Sequence, residues 1–214
     1  MVLIRLELAT EEKDLACLID MQARCTQSLN EQEIFQWTDS YPSPTTIRNA
    51  VQTRSQYFLM MSLDSDDKNV SSSSSSSSSI CSSEEALVVG SVVLNEEQDK
   101  EWSSMPWSFH GKILVVHAFV IDPKIQGKGY GQAALASIET FALQNGYVGI
   151  RLDVFPHNPR AVRLYERNGY QYVGDVYFAG KPKGYERYAC YEKKLVEQDK
   201  NADNEKVNQF GTIQ

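Results

Sequence analysis

The chain lacks three features that would place it in a common functional class: a long apolar run, a metal-binding motif and an excess of basic residues. No apolar run approaches the length of a membrane span, and the first six residues lack the charged start and apolar core of a signal peptide. Lys and Arg number 21 against 28 for Asp and Glu, and the net charge of −7 argues against nucleic acid or an anionic membrane as a partner. We therefore expect a cytoplasmic protein that binds neither nucleic acid nor membranes.

Cysteine and histidine are few and widely spaced. None of the four cysteines or three histidines stands at the spacing of a metal-ligand motif, so no metal site is predicted. A chain of 214 residues buries a full core without needing disulfides. We therefore interpret the cysteines as reduced thiols; they are Cys17, Cys25, Cys81 and Cys190.

One internal segment and the end of the chain are too polar to contribute to a core. Residues 64–85 contain nine consecutive serines, Ser71–Ser79. We predict that this segment is a disordered insertion at the tip of a hairpin, with a phosphorylated regulatory loop as the alternative. Residues 196–214 are predicted to form a flexible polar tail. The remaining residues, 1–195, suit a single α/β domain.

A glycine-rich junction joins an apolar strand to an amphipathic helix. The strand, Ile113–Ile121, is nearly all apolar and rich in β-branched residues, as expected for a strand buried on both faces. The residues from Gln126 to Gln132 then read Gln-Gly-Lys-Gly-Tyr-Gly-Gln, and apolar residues recur at helical spacing until Gly146. Glycines let backbone N–H groups converge at the positive end of the helix dipole, so we predict a binding site for a pyrophosphate.

Two common phosphate-binding motifs do not fit this junction. The dinucleotide fingerprint needs a third glycine where this chain has Gln132, and the Walker loop needs Ser or Thr where it has Gly129. The pattern Gln-Gly-x-Gly-x-Gly after a strand ending in Asp-Pro instead resembles the acyl-CoA loop of the GNAT family of N-acetyltransferases. The resemblance covers residues 2–195. It implies an α/β fold with a mixed, mostly antiparallel central sheet that is flanked by helices and splayed at the acetyl-CoA site.

A second segment, which begins at Asn158, resembles the helix that follows the next strand in this family. Asn158 is a favoured N-cap, Pro159 suits the first helical position, and Gly169 suits the left-handed residue after the last turn. Asn158, Ala161 and Tyr165 are three and four residues apart, so they lie on one side of the helix. The resemblance implies that Asn158 and Ala161 contact the pantetheine arm and that Tyr165 protonates the leaving thiolate.

The resemblance also implies the other site residues, with acetyl-CoA as co-substrate and an oxyanion donor among the backbone N–H groups near Ile121. His117 is the first candidate for the catalytic base, because His-Ala-Phe-Val-Ile resembles the strand that carries a catalytic histidine in arylalkylamine members. Asp153 and a water relay are the alternatives, although Arg151 is positioned to pair with Asp153 on the same strand face. The expected acetyl-CoA-binding residues are Phe119, Ile121, Gln126, Gly127, Lys128, Gly129, Tyr130, Gly131, Gln132, Asn158 and Ala161.

The acceptor pocket is expected to draw on the first helices and on the loop of residues 95–111, which is rich in acidic and aromatic residues. Carboxylates and aromatic rings are suited to binding an amine. The same residues are equally explained if Trp102 and Trp107 pack in the core and the acidic residues are exposed to solvent. The resemblance implies an enzyme that transfers acetyl from acetyl-CoA to a primary amine of a small molecule by direct attack in a ternary complex. The alternatives are acetylation of a protein N-terminus or lysine, and a non-catalytic acyl-CoA-binding module. The identity of the amine and a homodimer both stay open.

Overall fold

The helices and strands follow the order expected from the sequence, with one short strand added. The strands are β1 (Ile4–Leu8), β2 (Gln56–Ser62), β3 (Ser82–Ser83), β4 (Ala86–Asn95), β5 (Ile113–Ile121), β6 (Gly149–Val154), β7 (Gln171–Tyr177) and β8 (Arg187–Lys194). The helices are α1 (Glu12–Asn30), α2 (Pro44–Gln52), α3 (Tyr130–Gln144) and α4 (Pro159–Arg167). Two 3₁₀ turns, Lys100–Ser104 and Pro123–Ile125, lie before and after β5.

The computed structural model describes residues 2–10, 12–38, 41–62, 82–83, 86–181 and 183–195. The predicted insertion and tail lie outside these residues, except for β3, which pairs with β4. Within these ranges, no helix is both long and apolar enough to cross a bilayer.

One open sheet runs through the protein in the order β1-β2-β4-β5-β6-β8-β7. All neighbouring strands in this order are antiparallel except β5 and β6, which are parallel. These two pair only over Ile113–Val115 and Gly149–Arg151, although both strands continue beyond that point. The strands therefore separate in the middle of the sheet, which confirms the predicted mixed α/β fold with a splayed, mostly antiparallel sheet.

A bulge interrupts β5 next to this separation. Val93 of β4 pairs with His117, and Ser91 pairs with Val120, so β5 contains one residue more than β4 in the same interval. Ala118 lies within this interval and has a φ of +46°, which is uncommon for a residue other than glycine. Nothing in the sequence marks this position, because alanine is not a residue typical of the left-handed region.

The bulge changes which face of β5 each side chain occupies. Before it, Leu114 and Val116 belong to the core cluster that also contains the buried residues of α3. After it, Phe119 and Ile121 pack against that same cluster, although regular alternation from Val116 would turn them to the other face. The strand therefore presents aromatic and aliphatic side chains on the α3 side all the way to its end.

Apolar residues on both faces of the sheet hold the helices in place. Leu59 of β2 contributes to the cluster that packs α3 and α4, whereas Phe58 and Met60 contribute to the cluster that packs α1 and α2. Because these three residues alternate along one strand, the two clusters lie on opposite faces of the sheet. The buried residues of α3 that fill the first cluster are Ala134, Leu135, Ile138 and Ala142.

The ends of α4 are those predicted from the sequence. Asn158 Oδ1 accepts a hydrogen bond of 3.2 Å from the backbone N–H of Ala161, and Pro159 occupies the first helical turn. Gly169 follows the helix with a φ of +82°. Local residues therefore determine where α4 begins, and this point lies next to the separation of β5 and β6.

A partly buried ion pair connects α1 to the end of β5. Arg24 Nη2 donates to Asp122 Oδ2 at 2.7 Å, and Asp122 Oδ1 accepts from the backbone N–H of Lys124 at 3.0 Å. Arg24 also forms an ion pair with Asp20 one helical turn earlier. The side chain of Asp122 thus fixes both α1 and the 3₁₀ turn that leads into the glycine-rich segment.

Arg151 pairs with Glu192 and not with Asp153, the neighbour on its own strand face that the sequence offered. Arg151 Nη1 donates to Gln98 Oε1 at 2.8 Å, and its guanidinium carbon lies 4.2 Å from the ring centroid of Trp107. Its ion-pair partner is Glu192 at 3.7 Å. Glu192 is the residue directly opposite Arg151 on β8, and a cross-strand neighbour is closer than a residue two positions along the same strand. This arrangement leaves Asp153 without the arginine.

The cysteines are not all thiols, contrary to the expectation. Cys17 is disulfide-bonded, whereas Cys25 and Cys190 are free and buried. Sequence spacing alone does not show which cysteines a fold brings together.

Candidate functional site

A cavity of about 1490 Å³ lies where β5 and β6 separate. It is larger than most pockets for a single small ligand, so it has room for an extended ligand and a second small molecule. We call the part of its lining that comes from residues 126–132 and α4 the glycine-loop region. We call the part of its lining that comes from Tyr41, Asp99, Asp153, Lys181 and Tyr188 the acidic region.

Gly127 and Gly129 give the glycine-loop region an open backbone surface. Their φ angles are +83° and +82°, where any side chain strains the backbone. A Cβ atom added to either would meet no heavy atom within 4 Å, so the space in front of this backbone is free. Gly129 is also the N-cap of α3, whose first N–H groups and dipole attract an anion.

Gly131 has a different local requirement. A Cβ atom at this position would lie 3.2 Å from Leu164 Cδ2 and 3.9 Å from Ile121 Cγ1. Gly131 therefore allows α3 to approach α4 closely, in addition to lining the cavity.

All residues predicted to bind acetyl-CoA line this cavity except Lys128, whose side chain is exposed. Two of them are already engaged within the protein. Gln126 Nε2 donates to the carbonyl oxygen of Ile121 at 2.9 Å, and Asn158 Nδ2 donates to Gln36 Oε1 at 3.1 Å. These side chains brace the loop and the start of α4 from inside the protein.

Three arginines of α4 were not among the predicted site residues. Arg160, Arg163 and Arg167 line the cavity, and their spacing of three and four residues places them on one helix face. That spacing was visible in the sequence. In a chain with a net charge of −7, this cationic surface beside the open glycine backbone indicates an anionic ligand.

Tyr165 lies in the wall of the cavity with 6% of its surface exposed. Its ring packs edge-on against Tyr170 with the centroids 5.6 Å apart. Burial, and to a smaller extent the charge of Asp153, raises the pKa of the Tyr165 hydroxyl far above its usual value of 10. The hydroxyl therefore keeps its proton at neutral pH.

His117 lines the cavity with one ring nitrogen already bonded. Nε2 lies 3.1 Å from Asn95 Oδ1 and 3.2 Å from the carbonyl oxygen of Glu97. Since both partners are acceptors, this network assigns the hydrogen to Nε2 and leaves Nδ1 as the basic nitrogen. Burial lowers the pKa of His117 below its usual 6.5, although the charge of Asp99 opposes this. The ring is therefore neutral at pH 7.

Asp153 and Asp99 supply the carboxyl groups of the acidic region. Burial, with the charge of Asp99 adding to it, raises the pKa of Asp153 to about 7, while the charge of Lys181 opposes the rise. Burial also raises the pKa of Asp99. A carboxyl group with a pKa near 7 exchanges its proton readily at neutral pH, as a general base requires. The structure thus brings the alternative base, Asp153, into the same cavity as Tyr165.

Aromatic rings and one lysine complete the acidic region. Lys181 Nζ lies 4.2 Å from the ring centroid of Tyr41 and 5.2 Å from that of Tyr188. Trp37 and Phe155 also line the cavity. Neither Tyr188 nor Lys181 was predicted from the sequence, because no local pattern connects them with the other lining residues.

The tryptophans of the loop 95–111 do not line the cavity. They pack within the protein and do not contribute to the acceptor pocket. Trp102 is 1% exposed in a core cluster, and Trp107 stacks on a buried guanidinium group. Among the acidic residues of this loop, Asp99 and Glu101 line the cavity.

Comparison with known proteins relates the chain to a family. The model of the acetyltransferase (GNAT) family matches residues 27–170. Over 64 residues the chain is 41% identical to the spermine/spermidine N(1)-acetyltransferase of Bacillus subtilis (strain 168). That match covers 29% of this chain and 42% of that protein, so the chain spans less than half the length of this curated relative.

Solved structures share the fold over nearly all of the chain. A GNAT-family acetyltransferase from Streptococcus agalactiae 2603 superposes with a TM-score of 0.63 at 16% identity, covering 91% of this chain and 96% of that chain. The NatC complex bound to Gag peptide and CoA gives a TM-score of 0.56 at 12% identity, covering 91% and 99%. At these identities the likeness is one of fold.

Proposed function

The chain belongs to the acetyltransferase (GNAT) family, and from this we propose that it transfers the acetyl group of acetyl-CoA to a primary amine of a small molecule. The proposed route is direct attack by the amine in a ternary complex, within a single catalytic domain of residues 1–195. One observation carries the proposal: a single cavity joins an anion-attracting glycine loop to carboxyl groups and aromatic rings. The first suits a pyrophosphate and the second suits a cationic amine.

The glycine-loop region is the proposed site for acetyl-CoA, which would supply the activated thioester. Its fit rests on the open backbone at Gly127 and Gly129 and on the start of α3. The three arginines of α4 add charge that suits a molecule with several phosphate groups. Phe119 and Ile121 line the cavity beyond the bulge and would flank the apolar part of the pantetheine arm, together with Ala161.

We propose that three kinds of group share the chemistry. Asp153 takes a proton from the acceptor amine, because its pKa of about 7 leaves it ionised in a large fraction of molecules at neutral pH. His117 is the alternative base, through its free Nδ1. Backbone N–H groups of β5 that are not paired with β6 would stabilise the developing oxyanion. Tyr165 would donate its proton to the departing sulfur.

The acceptor class is proposed from charge. Two carboxyl groups and several rings suit an aliphatic or arylalkyl ammonium compound. The partial likeness to a spermine/spermidine N(1)-acetyltransferase supports including polyamines among the first acceptors to test.

An assay of amines with acetyl-CoA tests the proposed function. The panel should hold spermidine, spermine, phenylethylamine, an aminoglycoside and short peptides with free N-termini or lysines. Release of free thiol and the mass of the acetylated product should both be followed, with an amine-free reaction as the blank. We expect turnover with at least one small amine.

Two outcomes would replace the proposal with an alternative. Turnover with peptides alone would indicate a protein acetyltransferase. Tight binding of CoA in calorimetry without turnover of any amine would indicate a non-catalytic acyl-CoA-binding module.

A further inference from the structure

Lys181 places a primary amine of the chain itself inside the acidic region. It lies in the loop between β7 and β8, next to Gly180, and its side chain is half-buried. Its Nζ atom is 4.2 Å from the ring centroid of Tyr41 and 5.2 Å from that of Tyr188. Both distances are within the range of cation–π contacts. The two rings therefore form a binding site for an alkylammonium group.

Two carboxyl groups act on the same ammonium group. Burial, the largest effect, lowers the pKa of Lys181, while the charges of Asp153 and then Asp99 favour its protonated form. In return, the charge of Lys181 limits the rise in the pKa of Asp153. Two rings with carboxylates nearby are complementary to a primary ammonium group, whichever molecule carries it.

Lys181 is held loosely in this position. Among the residues that the structure describes, its Nζ atom has no hydrogen bond and no ion pair within 4.0 Å. Lys193, by contrast, lies 2.7 Å from Glu139. The loop also contains Gly180 and Gly184, the latter with a φ of +91°. The flexible stem of a lysine allows its Nζ atom to leave the rings without a change in the sheet.

We propose that Tyr41, Tyr188, Asp99 and Asp153 form the binding site for the ammonium group of the acceptor, and that Lys181 occupies this site until the acceptor displaces it. The inference rests on the proposed function, because it identifies the acceptor as an alkylammonium compound. Displacement exchanges one ammonium group for another, so the carboxylates keep a cationic partner throughout. A neutral or anionic molecule offers no such exchange, which makes Lys181 a determinant of specificity.

Binding of a simple diamine tests this proposal without turnover. Calorimetry should give the Kd of 1,4-diaminobutane for the CoA-saturated protein and for Lys181→Met, which keeps an apolar stem and removes the charge. Lys183→Met is the matched control, since it removes the same charge from the same loop at an exposed position outside the cavity lining. We expect the diamine to bind about 10-fold more tightly to Lys181→Met than to Lys183→Met. Equal affinities for the two variants would overturn the proposal.

A second pair of variants shows where the diamine binds. In the Lys181→Met background, Tyr41→Leu should weaken diamine binding about 10-fold, whereas Tyr41→Phe keeps the ring and should leave the Kd unchanged. Thermal unfolding should first show that each variant is folded. Equal binding to the Leu and Phe variants, or competition by uncharged butan-1-ol, would place the diamine elsewhere and reject the site.

Failure of this inference is distinguishable from failure of the proposed function. Amine turnover together with equal Kd values for the two methionine variants would reject the ammonium site and leave the acetyltransferase. A 10-fold difference in Kd without turnover of any amine would support the ammonium site and reject the enzyme.

Discussion

The glycine-loop region and the acidic region of the same cavity are assembled in opposite ways. The first takes its backbone groups from one run, residues 126–132, and its side chains from the single helix α4. The second takes one side chain from each of several distant places, namely Tyr41, Asp99, Asp153, Lys181 and Tyr188. One region depends on backbone conformation, whereas the other depends on side-chain charge and on rings.

This difference predicts how the two regions respond to substitution. In the glycine-loop region a new side chain acts through φ and through the space that a ligand needs, as at Gly129. In the acidic region a substitution acts through protonation, because Asp99 shifts the pKa of Asp153 and of His117. Binding of the co-substrate and reaction of the acceptor should therefore be separable by mutation.

The largest effect on turnover is expected at Tyr165. This residue of α4 lines the cavity, and the charge of Asp153 contributes to the rise in its pKa. Tyr165→Phe keeps the ring and removes the proton donor, so kcat should fall by ~10²–10⁴ while binding of acetyl-CoA changes little. Tyr170→Phe is the matched control, because Tyr170 is a buried neighbour outside the cavity lining. Near-normal kcat in Tyr165→Phe, with chemistry shown to be rate-limiting, would remove Tyr165 from the mechanism.

The acidic region should govern the dependence of kcat/KM on pH. A carboxyl group acts as a base when it is ionised, and an imidazole acts as a base when it is neutral. In both cases kcat/KM rises as the pH rises through the pKa of the base. That pKa is about 7 for Asp153 and below the usual 6.5 for His117. Asp153→Asn should lower kcat/KM by about 10²–10³ and remove the rise near pH 7, whereas His117→Gln should keep it. The opposite pattern would assign the base to His117. In either case acetyl-CoA binding should not change.

The glycine-loop region should show the converse separation. Gly129→Asp introduces a carboxylate in front of the open backbone at a φ of +82°, so the Kd for acetyl-CoA should rise roughly 10- to 100-fold. Gly129→Ala isolates the strain, and Gly146→Ala places similar strain at the other end of α3, outside the cavity lining. Calorimetry should rank the three variants in that order. If Gly129→Asp binds acetyl-CoA as tightly as Gly129→Ala, this backbone does not face the phosphates.

The smallest effect is expected at the bulge, which belongs to neither region. Ala118→Gly relieves a positive φ but increases the freedom of the unfolded chain; because these effects oppose each other, the free energy of unfolding should change by less than about 0.5 kcal/mol. Ala136→Gly, on the exposed face of α3, should lose about 1 kcal/mol by comparison. Urea unfolding measures both. A loss at Ala118 as large as that at Ala136 would show that the strain at the bulge is small.

The sequence predicted what depends on neighbouring residues. The order of elements, the caps of α4 at Asn158 and Gly169 and the conformation of the glycine loop follow from local patterns, and the structure agrees with them. The family was also predicted correctly from these two segments.

The features that the sequence did not predict all depend on residues far apart in the chain. Arg151 pairs with Glu192 because β6 and β8 are neighbours, and this pairing leaves Asp153 available to the cavity. Tyr188 and Lys181 join the acidic region from the end of the domain. The bulge at Ala118 is set by the register between β4 and β5, which alanine does not signal.

That bulge makes the register of β5 against β4 more important than the identity of most residues in the strand. If β5 kept its length but lost the bulge, with Ala118 opposite Val92, regular alternation would turn Phe119 and Ile121 away from the cavity, while the strand stayed apolar and able to pair with β4. Exchange of one aliphatic residue for another on this strand would leave that orientation unchanged. Evolution can therefore vary the composition of β5 far more freely than its register against β4.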